Sequence, residues 1–349
     1  MLSFRHIGWI LVSIFLVAYL YYIHIFAVNI PITDDYDLVR VKYTLLTQKF
    51  SFWEKIQLLL EPENDHRILV PRSIALSATA IEGYVNYRTI IGVVNLCLFG
   101  ILGLWFGTFR RQFGLRNYWY FVPVLVFYLN PYVFDVTLWG INGMQHTTLN
   151  LLVLGSLYVL SNHTRLFGLA IVLAVMSTFT NGNGFLVFAA GLLVLGLSKD
   201  WKRSAVWAAA MVMSIGFYFY KYSFGQATQV KLSVLFFQNL VVSFGALVAG
   251  WVASFKGQTN NYLWVAFGVG ILLLGWLVKV LLWEAMRRFW QPRREERQVL
   301  GLRRSAPRVV QRLPRGPAPG PLRRALRELP HRGHDELLYL AVGCRGTPP

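Results

Sequence analysis

Charge is scarce in this sequence. Of its 349 residues only 14% are Asp, Glu, Lys or Arg, while 55% are hydrophobic and 15% aromatic. A soluble surface at this length needs about a quarter of its residues charged, so soluble enzymes and disordered chains are excluded. Cysteine is nearly absent: Cys97 lies inside an apolar run and Cys344 near the C-terminus. Two unrelated cysteines give no disulfide framework, which excludes the small secreted scaffolds. Acidic residues are also few, 16 against 34 basic ones, a net charge of +18. That excess does not point to nucleic acid, because 15 of the 34 basic residues fall in 287–349 and most of the others flank apolar segments.

What is present is a series of long apolar runs. Gly8 to Ile30 has no Lys, Arg, Asp or Glu over 23 residues and no small-residue cleavage site after it, so it reads as a retained first helix. Further runs occur at about 89–109, 118–134, 145–160, 166–179, 185–197, 205–220, 236–254 and 263–283. The expected fold is therefore all-α, a polytopic bundle of about eight or nine hydrophobic segments over residues 1–283. Several runs are short for a straight crossing of roughly 20 residues, which suggests helices broken or extended by interfacial turns.

Lys and Arg in short loops are retained in the cytoplasm. Arg5, Arg110, Arg111, Arg116, Arg165, Lys199, Lys202 and Arg203 share one side if every run to 220 crosses. The N-terminus is then cytoplasmic in a plasma (inner) membrane, and 31–88, 131–144 and 180–184 face outward. Parity places one of the last two runs as non-crossing. The expectation falls on 236–254, interrupted by Ser243, Gly245 and Gly250, as a re-entrant or surface-lying segment.

Residues 284–349 form a basic tail. From Gln291 on there is no Lys, Asn, Ile, Phe, Met or Trp in 59 residues, whereas Arg supplies 13 and Pro 9. Such a shift fits either translation out of frame, with further helices missing, or a disordered basic tail drawn to anionic lipid. An intact mass together with the sequence of the locus separates the two.

The polar stretch 31–88 holds eight of the 16 acidic residues. It opens on Thr33-Asp34-Asp35-Tyr36-Asp37, where crowded carboxylates raise one another's pKa, so that one can act as a base or a pair can hold a divalent cation. The plainer reading is a solvated loop in which Asp34 or Asp35 caps the next helix. That helix, about 38–60, is amphipathic and is expected along the membrane surface. It ends in Glu61-Pro62-Glu63-Asn64-Asp65-His66-Arg67. There Arg67 and His66, with Arg72, could bind a phosphate, and Asp65 or Glu63 could orient them or ligate a metal; internal ion pairs are the alternative. Asp135 is a lone acid near the external end of a helix, followed by Trp139, Asn142, Gln145 and His146. Trp139 could stack on a sugar ring or pack at the interface. Thr180-Asn181-Gly182-Asn183-Gly184 reads as a tight turn favoured by positive φ, with Asn181 a candidate cavity lining.

Taken together, the first helix followed by an aspartate pair, the long external loop, Asn64-Asp65-His66-Arg67, and Trp139-Gly140 with Gln145 resemble the GT-C class of integral membrane glycosyltransferases over about 1–283. The resemblance implies transfer of a hexosyl or pentosyl group from a polyprenyl-phosphate donor to an external cell-envelope acceptor. It places the general base at Asp34 or Asp35, the donor phosphate at His66, Arg67 and Arg72, and substrate-lining groups at Asp65, Asp135, Trp139, Gln145 and Asn181. No cofactor is implied as obligatory, although a divalent cation is compatible, and the partners are the lipid-linked sugar and membrane lipid. Later helices common in the class are missing, so the chain could be truncated and inactive. A multi-pass transporter or lipid flippase is the rival, for which charges at mid-membrane depth are expected; a non-catalytic membrane partner is the third reading.

Overall fold

The computed structural model describes residues 4–222, 233–254 and 259–290. Expectations about the tail beyond Trp290 lie outside these residues. The described chain is all-α apart from one small hairpin. In order come α1 (Phe4–Phe26), α2 (Tyr36–Thr47), α3 (Phe52–Leu59), strands β1 (Pro62–Glu63) and β2 (His66–Arg67), α4 (Leu69–Glu82) and α5 (Tyr87–Phe113). After them come α6 (Val122–Tyr128), α7 (Phe134–Thr137), α8 (Gly140–Gly143), α9 (Leu149–Asn162), α10 (Phe167–Thr178), α11 (Leu186–Leu197), α12 (Trp201–Phe219), α13 (Val234–Ser254) and α14 (Thr259–Trp290).

Among the described residues three segments are long and apolar enough to cross a membrane, Gly8–Phe26, Tyr87–Phe113 and Leu263–Trp283, consistent with a membrane protein. Their lipid-type surfaces are broad: Ile14, Val17, Leu20 and Tyr21 of α1 are exposed, as apolar side chains facing a bilayer are. The chain divides into two compact units, Met1–Leu272 and Leu273–Pro349. In the second, the described part is the end of α14, which exposes Trp276, Val278, Leu281 and Trp283.

Within the first unit, α5 is the central strut. Asn86 caps it by accepting from the Arg88 N–H, and it ends at Gly114, whose φ of 73° suits only glycine without strain. Ile90, Val94, Leu98, Ile101 and Leu102 form its buried stripe at helical spacing. Asn95, buried in the same helix, accepts from the Tyr19 hydroxyl of α1 at 2.7 Å and donates to the Thr137 carbonyl at 2.9 Å. A second core joins α9 to α12 around fully buried Trp207, whose indole N–H donates to the Phe188 carbonyl at 2.9 Å. Gly191 lies against that indole so closely that a methyl group would stand 2.4 Å from it.

Three expectations are corrected, for 38–60, 236–254 and 180–184. The surface helix over 38–60 is two helices, because Gln48 is extended and Ser51 starts α3 with a reciprocal Ser51/Glu54 cap. The run 118–134 is one of those broken by turns: a 3₁₀ stretch Leu115–Phe121 leads to seven-residue α6, and further short turns follow through α8. The segment at 236–254 is uninterrupted. Ser243 returns its hydroxyl to the Asn239 carbonyl at 2.8 Å, and Gly245 permits close approach of α13 to the Ala266 carbonyl of α14. Finally, no glycine of 180–184 has positive φ; Asn181 caps a 3₁₀ turn there, and Gly184 sits against the Ser177 carbonyl.

Cross-links bring the polar loops to a common neighbourhood. The Val70 N–H donates to the Phe179 carbonyl at 3.0 Å, the Ile141 N–H to Asp35 at 2.7 Å, and the Arg67 N–H to the Tyr218 hydroxyl at 3.2 Å. Elsewhere Arg111, in the last turn of α5, donates to Asn162 at the end of α9 at 3.0 Å.

Candidate functional site

The two aspartates proposed as alternatives for one role stand in different environments. Asp35 is 1% exposed, and both its oxygens are held by backbone N–H groups, Oδ2 by Ile32 at 3.0 Å and Oδ1 by Ile141 at 2.7 Å. Its own carbonyl accepts from the Tyr87 hydroxyl at 2.9 Å. Burial pushes the Asp35 carboxyl up, while the N–H groups of Ile141 and Ile32 oppose that rise. Gly140 leaves room for the carboxylate, since a methyl group there would stand 3.1 Å from Oδ1. Asp35 thus ties the first loop to the start of α8. Asp34 is only partly buried, and its carboxylate makes no hydrogen bond or ion pair among the described residues. Thr33 just before it has φ +37°, an uncommon value for a β-branched residue. Such backbone costs about 1–3 kcal/mol and clusters at functional sites.

Beside this turn lies a buried ionic network. Arg72 is completely buried, and its Nε donates to Asp37 Oδ2 at 2.7 Å. Its Nη1 donates to the carbonyls of Leu59 and Glu61, and Nη2 reaches Glu63 at 3.4 Å. Arg40 bridges Asp37 and Glu61 at 2.8 and 3.0 Å. Burial alone raises the Asp37 carboxyl, but hydrogen bonding and charge from Arg72 outweigh it and hold Asp37 below its ordinary value. Glu63 is pushed up to about 7, first by burial and then by its hydrogen bond and charge repulsion with Asp37. Arg72, expected to hold a phosphate, is directed instead to these partners.

His66 and Arg67 are adjacent in sequence but diverge in space, as successive side chains of a strand do. Glu63 pairs opposite His66 in the hairpin. His66 Nδ1 is buried without a partner among the described residues, and a methyl group at Gly182 would lie 3.1 Å from it and 3.0 Å from the Tyr218 hydroxyl. Arg67 turns to helix ends: Nη1 donates to the Leu60 carbonyl at 3.0 Å and Nη2 to the Tyr220 carbonyl at 2.6 Å. Its Nε is buried and unpartnered, and burial lowers its pKa.

Trp139 precedes Gly140 and Ile141, which lie against the Asp35 carboxylate, and its indole N–H is likewise buried and unpartnered. Gln145 and Asn181 are buried and meet at 3.5 Å. Gln145 lies in the π-helical turn Met144–Thr148, a rare form that often marks functional positions. Asp135 is exposed, its carbonyl accepting from Asn142 at 2.8 Å, and the Asp65 carbonyl accepts from the Tyr222 hydroxyl at 2.7 Å. His146 stands within electrostatic range of both Asp135 and His66. Among the described residues no group of three His, Cys, Asp or Glu is placed to hold a metal. Tyr218, Tyr87 and Gly182 were not singled out as site residues by the sequence; Tyr218 meets Arg67 across 151 positions, a separation with no local signature.

Buried polar groups are nearly always satisfied, so three unpartnered nitrogens around these loops mark surfaces that can receive a ligand. Comparison with known proteins adds no assignment: no family model, curated protein or solved structure matches the chain.

Proposed function

We propose that this chain is a polytopic glycosyltransferase of the GT-C kind in the plasma membrane, with a cytoplasmic N-terminus and about eight or nine hydrophobic segments. In this reading it transfers a sugar from a polyprenyl-phosphate donor to an external acceptor. The observation that carries the reading is the division of labour between the aspartates. Asp35 is fixed between Ile32 and Ile141, while Asp34, at the strained turn, keeps a partly exposed carboxylate without a partner among the described residues. A positioned but uncommitted carboxylate suits a general base.

The acceptor hydroxyl gives its proton to Asp34 as its oxygen attacks the anomeric carbon. The bond from that carbon to the phosphate oxygen breaks, and the polyprenyl phosphate leaves with the bonding pair, inverting the centre. His66 Nδ1, oriented by the hairpin and bordered by Gly182, supplies a hydrogen bond to the phosphate. The Trp139 indole N–H, next to the Asp35 anchor, hydrogen-bonds a sugar hydroxyl. Arg72 acts through Asp37 and Glu63 to hold the loop rather than by touching donor.

The paired charges Asp37, Arg40, Glu61, Glu63 and Arg72 all belong to the segment between α1 and α5, whereas a transporter calls for charge at mid-membrane depth. The test is transfer from radiolabelled polyprenyl-phosphate sugars by membranes containing the chain, with Asp34→Asn in parallel. Loss of transfer in a folded Asp34→Asn variant is expected, and retained transfer overturns the base assignment.

A further inference from the structure

Arg67 faces a cavity of about 230 Å³ that includes neither Asp34 nor His66 in its lining. Its walls are Trp53 and Gln57 of α3, Leu60, Glu61 and Pro62 after it, and Phe217, Tyr220 and Lys221 at the end of α12. The guanidinium joins the two walls, because the carbonyls it binds belong to Leu60 and Tyr220. Its charge meets helix C-terminal carbonyls, and no carboxylate forms an ion pair with it among the described residues. The one acid in the lining, Glu61, is paired with Arg40 at 3.0 Å. Two cations, Arg67 and Lys221, therefore share this cavity with a single, already paired carboxylate.

The rim is apolar and aromatic. Phe52 and Trp53 are 79% and 56% exposed, and Phe217 and Tyr220 are 45% and 58% exposed. Exposed Trp and Tyr beside cations is the pattern of the membrane–water interface. At this volume the cavity is smaller than a site for a drug-sized ligand, but it suits a phosphate with the first atoms of its esters.

We propose that this cavity binds the phosphodiester headgroup of an anionic membrane phospholipid, held by Arg67 and Lys221 with the Trp53 and Tyr220 rings at the glycerol level. Nη1 and Nη2 each give one hydrogen to a helix carbonyl, so the guanidinium, which lines the cavity, keeps further N–H groups for a phosphate oxygen. The site is separate from sugar transfer and stands whether or not the chain is a transferase.

The test is native mass spectrometry of the full chain in detergent with phosphatidylglycerol, phosphatidylcholine or inorganic phosphate added. One phosphatidylglycerol adduct is expected to bind about tenfold more weakly in Lys221→Glu, as loss of one charge-assisted contact requires, and to vanish in Arg67→Gln, while phosphatidylcholine binding is unchanged. Arg67 also ties two helix ends, so Lys221→Glu and Trp53→Ala decide the matter if Arg67→Gln does not fold. Equal phosphatidylglycerol affinity in wild type and Lys221→Glu overturns the site. Competition by inorganic phosphate as strong as by the lipid overturns the lipid as its occupant.

Discussion

Arg72 and Asp37 form an ion pair of 2.7 Å, with their side chains 0% and 2% exposed. They join α4 to α2 across 35 positions and fix the loop that carries Asp34 and Asp35. Removing Arg72 leaves the buried Asp37 carboxylate with only the half-exposed Arg40 as counter-charge. Arg72→Met should therefore cost about 3–5 kcal/mol of stability, read as a lower denaturation midpoint in detergent, whereas Arg203→Met at the more exposed Asp200 pair should cost about 1 kcal/mol or less. Equal effects would remove Arg72 from its bracing role.

The same network sets a pH dependence with two opposite limbs. Asp37 is lowered, so its contribution is present above the ordinary carboxylate value and is lost as pH falls through its own lower value. Glu63 is raised from 4.5 to about 7, so its contribution is full below 4.5 and is lost as pH rises toward 7. Glu63→Gln should flatten the melting temperature between about pH 4.5 and 7 and leave the acid limb below that window in place. An unchanged slope in Glu63→Gln would show that Glu63 does not titrate there.

Asp35→Asn should behave differently from Asp34→Asn. One amide NH₂ group would face a backbone N–H where the carboxylate now accepts two, from Ile32 and Ile141. The expected cost is about 1–3 kcal/mol of stability, and hydrogen exchange at Ile141 should accelerate. Asp34→Asn should melt with wild type. If both variants melt alike, the separation of roles is wrong.

Gly182→Ala tests the histidine's placement. The added methyl would stand 3.1 Å from His66 Nδ1 and 3.0 Å from the Tyr218 hydroxyl, so the ring must shift by a few tenths of an ångström. Transfer should fall about tenfold, given the sensitivity of catalysis to displacement, with little change in stability. Wild-type turnover in Gly182→Ala would take His66 out of the mechanism.

The all-α character, the apolar first helix and the runs at 89–109 and 263–283 were legible because composition alone dictates them. So was the gathering of acids in 31–88. The break in 38–60 was also written locally, in Ser51-x-x-Glu54, a capping box that the apolar periodicity concealed. Other features depend on contacts that sequence does not display. Arg72 was grouped with Arg67 as a cation for phosphate; only the approach of α2 shows that Asp37 holds it. His66 and Arg67 separate because a two-residue strand alternates their directions. Gly182 and Gly245 serve close approach by Tyr218 and by Ala266, partners that lie far along the chain or on another helix.

The most direct measurement is turnover of a labelled polyprenyl-phosphate sugar by membranes containing the chain, wild type beside Asp34→Asn, with melting curves of both. The account predicts transfer by wild type and a loss of about 10²–10⁴-fold in a variant that melts normally, the range of a missing general base. Undiminished transfer by Asp34→Asn, or no transfer by the folded wild type, would contradict it.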